Sequence, residues 1–369
     1  MLKTATFSGA VFVFYLEPWA MCLPVNAIMK KYKYILISIF FLFISTPVEA
    51  KREHLIQGRT MGTTYQVKVV TGHSQSISGL KEKLDARLEE INQSMSTYKE
   101  DSEISRFNAS QLVDKSFKIS NDFYQVMKTA QTIYQQSGGA WDGTVNPLVD
   151  LWGFGRAGRK TTVPQQKDIS ELLPDIGFKN IEIVASGYLV KKRPTVTLDL
   201  SSIAKGYGVD QLVDVVRKEG YQNYLVEIGG EVFASGYRKD GKLWRIGINR
   251  PKIDAAFDDV YKVINLHNKA FATSGDYRNF FVVDGIRYSH IIDPRTGYPV
   301  SNGVVSATII SETCIFADGL ATAIMVMGAD RGLDLVNRLD GTEGLIIVEK
   351  QDGSLVPYYS KGFGADPQR

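Results

Sequence analysis

The segment Ser289-His290-Ile291-Ile292-Asp293-Pro294-Arg295-Thr296-Gly297 sets a histidine, a carboxylate and an arginine around one proline-bounded turn. That is more chemistry than a connecting loop needs. Around this turn the pattern predicts strands: 224–228, 244–249, 261–266, 270–273 and 280–283 before it, 304–310 after it. A helix over 316–327, closed by Gly328, follows. Earlier in the chain, helical stripes predominate. Leu80, Leu84, Leu88, Ile91 and Met95 recur at helical spacing after an alternating strand over 64–70. Phe123, Val126, Met127, Ala130, Ile133 and Tyr134 mark a second helix, with Ser120 as its N-cap and Gly138-Gly139 as its stop. The run 195–200 predicts a strand, and a helix over 204–218 follows, ended by Gly220. The stretch 147–174, with Gly153, Gly155 and Gly158, reads as an irregular lid or domain seam. Helices early and an antiparallel-rich sheet late make an α+β protein.

Composition narrows the function classes. The 369 residues are 44% hydrophobic, and they make one large domain or two intimate subdomains. A net charge of +3 is too small to suggest nucleic acid as a partner. Residues 1–50 read as a leader, and 51–369 as the folded part. Lys30-Lys31-Tyr32-Lys33 is a positive n-region, 34–44 an apolar core, and Val48-Glu49-Ala50 a small-x-small cleavage signal. This layout points to Met29 as the start of translation and to a secreted, periplasmic product. With Cys22 in the leader, the mature chain keeps Cys314 alone, in an apolar run that suggests a buried, inert thiol.

Asp318 and Thr322 sit one turn apart on a predicted helix, so their oxygens share a face. A carboxylate with a hydroxyl is hard-oxygen ligation, suited to Mg2+. By spacing alone, a helix-terminal Asp and a Thr bonded to its own helix explain the pair better. Asp199 to Gly206 predicts a helix start whose N–H groups face an anion, with Lys205 adding charge. Taken alone, a capped helix with a surface lysine explains it better.

Eight blocks, in order, change that weighting. They are Met61-Gly62-Thr63, Ser96-Thr97-Tyr98, Glu103-Ile104-Ser105-Arg106, Gly139-Ala140-Trp141-Asp142-Gly143-Thr144, Asp199 to Gly206, Ala272 to Asn279, the 289–297 turn and Ala317-Asp318-Gly319-Leu320-Ala321-Thr322. Together they resemble the signature blocks of the ApbE-type FAD:protein FMN transferases. The resemblance implies a layered, T-fold-like α/β architecture with antiparallel-rich sheets and packed helices. It implies FAD contacts at Met61, Tyr98, Ala140, Trp141, Asp142, Asp199, Lys205 and His290. It implies Mg2+ ligands at Asp318, Thr322 and the main-chain carbonyl of Ser202, where relatives often carry Ala or Gly. Trp141 stands where relatives usually carry Phe. The implied reaction is attack by a threonine hydroxyl of a target protein on the FMN phosphorus of FAD, with AMP leaving. Its targets are subunits of membrane redox complexes. His290 or Asp293 would take the proton. Arg278 and Arg295 could pair with acids or with phosphates. Two other readings share these motifs: an FAD pyrophosphatase, in which water replaces threonine, and a non-catalytic periplasmic FAD-binding protein.

Overall fold

The computed structural model describes residues 51–364, apart from 156–157, 159–160, 186 and 257–258; within Met1–Ala50 it describes the backbone of Thr6–Phe7 and Ala10–Val11, which pair antiparallel. The leader from Met29 onward lies outside the described residues. Lys51–Arg369 form one compact unit.

Strands β1 (Arg52–Thr60) and β2 (Thr63–Thr71) make a hairpin. Met61 and Gly62 close it at positive φ of 49° and 74°, the hand that matches strand twist. Helix α1 (Leu80–Met95) buries the whole of its predicted stripe. Helix α2 (Glu103–Ala109) is too short for periodicity to reveal; Ser102 caps it by accepting the Ser105 N–H. After β3 (Ser116–Lys118) comes α3 (Asn121–Gln136), capped by Ser120 as expected.

The stretch expected to be irregular holds two short helices, α4 (Asn146–Leu151) and α5 (Gln166–Leu172). Packing decides them: Leu148, Trp152 and Ile169 are buried in a satellite cluster with Ile176, Phe281 and Ile292. Strands β4 (Ile181–Val184) and β5 (Tyr188–Lys191) join β3 in a small sheet of order β3-β5-β4.

Residues 195–200 form no strand, contrary to the pattern. The Asn108 amide clasps Leu198 instead, accepting its N–H at 2.7 Å and donating to its carbonyl at 2.8 Å. The Asp199 N–H goes to the Gly143 carbonyl at 2.8 Å. These bonds take backbone groups that a neighbouring strand would otherwise pair. Helix α6 (Ser201–Lys218) therefore starts a turn earlier than its apolar spacing suggests.

The remaining strands are β6 (Asn223–Ile228), β7 (Glu231–Ser235), β8 (Trp244–Asn249), β9 (Val260–Leu266), β10 (Lys269–Gly275), β11 (Phe280–Val283), β12 (Ile286–Ser289) and β13 (Val304–Ser311). Helices α7 (Cys314–Met327) and α8 (Ala329–Val336) and strands β14 (Glu343–Glu349) and β15 (Leu355–Tyr359) complete the unit. Eight strands form one antiparallel sheet of order β15-β14-β13-β10-β7-β6-β2-β1.

Side-chain alternation covers both faces of this sheet. Tyr224, Val226, Phe233 and Ala270 pack with α1 and α6, while Leu225, Val232, Ala234 and Phe271 pack under the β8–β9 ribbon with Trp244 and Ile264. Each fully buried Val, Leu, Ile or Phe contributes about 1.5–3 kcal/mol. The helical layer puts α6 against α7, and the candidate site lies at their crossing.

Candidate functional site

Gly206 lets the two helices meet. A Cβ there would stand 2.3 Å from the Cys314 carbonyl oxygen and 2.8 Å from Asp318 Cβ. Its N–H, which helix geometry aims at the Ser202 carbonyl, meets Asp318 Oδ2 at 2.9 Å. Asp210 caps the start of α7 from α6, accepting the Cys314 and Ile315 N–H groups at 2.8 and 2.9 Å. Burial pushes the Asp210 carboxyl up to about 7 against those two bonds. The Cys314 thiol is buried, and burial raises its pKa far above the ordinary value. It is an inert packing group, as expected.

Two cavities adjoin at this crossing. One, of about 440 Å3, is lined by Ala140, Trp141, Asp142, Ser202, His290, Asp318 and Thr322 among others. The second, of about 690 Å3, is lined by Met61 and Tyr98 with residues of α1. Asp199, Ser201 and Lys205 line both. Residues far apart in sequence thus share one groove, whose parts fall in the size range of small-ligand sites.

At its floor, Lys205 Nζ lies 3.3 Å from Glu231 Oε1 and 3.7 Å from Asp318 Oδ2. Burial pulls the lysine pKa down, but the two carboxylates outweigh it and keep the ammonium charged. Burial, then Asp318, push the Glu231 carboxyl well above its ordinary range, and Lys205 opposes them. Sequence reasoning missed Glu231. Its one signal was a charged residue directly after Gly229-Gly230, at the head of a strand whose next three residues are also buried.

The oxygens present suit a magnesium ion. Asp318 offers a carboxylate, Thr322 a hydroxyl that shares a 3.0 Å hydrogen bond with Ser274 Oγ, and Ser202 a carbonyl at the helix start. Glu231 Oε2 is buried without a hydrogen-bond partner among the described residues. The same residues contain no cluster of three His, Cys, Asp or Glu side chains arranged for a metal. A zinc-type set is therefore absent there.

The other expected contacts divide into two kinds. Asp199 Oδ1 accepts the Ser201 N–H at 2.8 Å and shapes the start of α6. Tyr98 is 77% exposed and walls the second cavity. Trp141 and Asp142 are buried, and both hold the architecture. The Trp141 indole N–H donates to Ser202 Oγ at 3.1 Å. Asp142 accepts the Thr144 N–H and hydroxyl at 2.8 and 2.6 Å and the Phe178 N–H at 3.0 Å.

His290 follows the β11–β12 hairpin, which is held by the stacked rings of Phe154, Phe281, Tyr288 and Trp152. Its hydrogen-bond partner is the Asn279 carbonyl, 3.1 Å from Nδ1. A carbonyl only accepts, so Nδ1 carries the proton and Nε2 keeps a lone pair. Burial lowers the histidine pKa; the Asn279 carbonyl opposes this and Arg287 reinforces it. Asp293 instead builds its own turn. It accepts the Arg295 N–H at 2.9 Å and pairs with the guanidinium at 2.8 and 2.7 Å. Arg295 is therefore paired with an acid, while the Arg278 guanidinium lies 5.3 Å from the Tyr277 ring centre.

Fold and groove define an α+β protein whose groove floor sets Lys205 beside the carboxyl groups of Glu231 and Asp318. The ApbE family model matches residues 61–346, and the chain belongs to that family. It is 43% identical over 321 residues to the FAD:protein FMN transferase of Vibrio cholerae, covering 85% of this chain and 94% of that protein. It is 40% identical over 313 residues to the protein of that name from Haemophilus influenzae, covering 84% and 90%. The solved structure of the flavin transferase ApbE from Vibrio cholerae superposes with a TM-score of 0.78 at 41% identity, covering 85% of this chain and 98% of that one.

Proposed function

We propose that this protein transfers the FMN half of FAD to a threonine hydroxyl on a target protein, releasing AMP. One observation carries the reading. Residues of seven motif blocks, from Met61 to Thr322, line two adjoining cavities, with Lys205 and the oxygens of Asp318 and Thr322 where they meet. Relatives of matching length that bear this activity's name support it.

The residues divide the work as follows. Met61 and Tyr98 wall one end of the groove, and Ala140, Trp141 and Asp142 line the other. Lys205 brings a permanent positive charge toward the pyrophosphate. Asp318, Thr322 and the Ser202 carbonyl would hold Mg2+, which neutralises phosphate charge when bound. The threonine oxygen forms a bond to the FMN phosphorus as the bond from that phosphorus to the AMP oxygen breaks. Nε2 of His290 accepts the hydroxyl proton, because Nδ1 is committed to Asn279. Both Asp293 oxygens are engaged by Arg295, which favours the histidine as base.

We place the protein in the periplasm, released from its leader at Lys51, with targets among flavin-carrying subunits of membrane redox complexes. The n-region, apolar core and cleavage signal support this. The test mixes purified protein, FAD and Mg2+ with a candidate target and reads flavin fluorescence of the target in a denaturing gel. A fluorescent target band and one AMP per FMN attached are expected. Free FMN and AMP with a dark target would instead make it a pyrophosphatase. N-terminal sequencing of secreted protein should read Lys51 first; residues upstream of it would refute the export reading.

A further inference from the structure

Three charged groups meet at the groove floor: Lys205, Glu231 and Asp318. Two carboxyl groups face one ammonium there, at 3.3 and 3.7 Å. The Glu231 and Asp318 side chains are only 6% and 4% exposed, so water compensates little. The two acids are unequally partnered. Asp318 Oδ2 already accepts the Gly206 N–H, whereas Glu231 Oε2 is buried with no partner among the described residues. A buried carboxyl oxygen left without a partner calls for an explanation.

We propose that Glu231 is the positioning residue that draws Lys205 off Asp318 when Asp318 takes up the divalent cation. The inference rests on the metal reading above and extends it to a residue outside the ligand set. Lys205 lies nearer Glu231 than Asp318 already, at 3.3 against 3.7 Å. An ammonium carries three donors, and Glu231 Oε2 is an acceptor in reserve. With Glu231 in place, Asp318 can exchange the ammonium for the cation while Lys205 stays paired. Without it, Lys205 has only Asp318 and competes with the cation for that carboxylate.

The experiment measures Mn2+ binding to the purified protein without FAD, by the electron paramagnetic resonance of free Mn2+. Four forms are compared: the parent, Glu231→Gln, Lys205→Met and the double variant. Glu231→Gln should weaken Mn2+ binding by about tenfold or more, the usual scale for groups that support metal ligands. In the Lys205→Met background the same change should cost no more than about threefold, because the competing ammonium is gone. Such unequal losses measure a coupling between the two residues. Equal losses in both backgrounds would reduce Glu231 to a distant charge, and no loss would overturn its role altogether. If the parent protein binds no Mn2+, the metal reading falls and this inference with it. Should Glu231→Gln melt too low to assay, Glu231→Asp serves, with an intermediate loss expected with Lys205 present. Parent affinity in that variant would count against the proposal, because the shortened side chain retracts the carboxylate.

Discussion

Replacing Gly206 by alanine tests whether the α6–α7 crossing sets the site. The added Cβ would stand 2.3 Å from the Cys314 carbonyl oxygen, whereas real Cβ contacts essentially never fall below 3.0 Å. The obstacle is backbone, so no side chain can rotate away. The helices must part by about 0.7 Å, the difference between those two distances. The Gly206 N–H to Asp318 Oδ2 distance then grows from 2.9 Å to about 3.6 Å, beyond hydrogen bonding. Overpacking costs about 1–3 kcal/mol. Losing a bond to a carboxylate adds about 1.5–3 kcal/mol. Alanine returns up to about 1 kcal/mol of helix propensity. The net is a loss of about 3 kcal/mol, or a fall in Tm of about 4–5 °C. Because Asp318 and Lys205 sit on the displaced surfaces, FMN transfer should also drop by about a hundredfold, the scale of a misplacement near 1 Å. Calorimetry and the gel fluorescence assay read the two effects on one preparation. A variant that melts within about 2 °C of the parent and transfers FMN normally would show that the crossing does not position the site.

Three further outcomes follow from single side chains. Asp318→Ala should lower FMN transfer by at least about a hundredfold while FAD binding weakens less; full activity of that variant in EDTA would exclude a metal role. Lys205→Ala should weaken FAD binding, read by quenching of flavin fluorescence, and an unchanged dissociation constant and rate together would leave Lys205 an ion-pair partner of the groove floor only. His290→Asn should keep FAD and Mg2+ bound but transfer FMN about a hundredfold more slowly. The sign of its pH dependence follows from burial: the ring is neutral, and competent as a base, until pH falls through a pKa lowered below the usual 6.5. The acid limb of the parent's rate profile should therefore lie below pH 6.5, and an identical profile in His290→Asn would move the base elsewhere.

Local patterns were sufficient for the elements that bury a face. The stripe of Leu80, Leu84, Leu88, Ile91 and Met95 and the alternation around Tyr224 and Val226 are imposed by the periods of helix and strand, so they are visible in one dimension. Short elements failed the same test. Helices α2, α4 and α5 have six or seven residues and exist because of what they pack against. Residues 195–200 read as a strand because their side chains alternate, yet the Asn108 amide, distant in sequence, takes the Leu198 backbone groups.

The ordered blocks identified the site residues as types: a carboxylate and hydroxyl one turn apart, a lysine at a helix start, a histidine near a proline turn. Their partners were decided only by the folded chain. Asp293 and His290 are close in sequence but bond to Arg295 and Asn279 respectively, because the turn and the hairpin aim them apart. Trp141, the expected ligand aromatic, is buried and steadies Ser202. Glu231 looks like a single charge at the head of a strand, and becomes part of the site only when the Gly229-Gly230 turn carries it under the α6–α7 crossing beside Lys205. Periodicity and motif order report what each residue can do. Charge pairing and close approach depend on which distant segments the core brings within a few ångströms, and only the tertiary structure sets that.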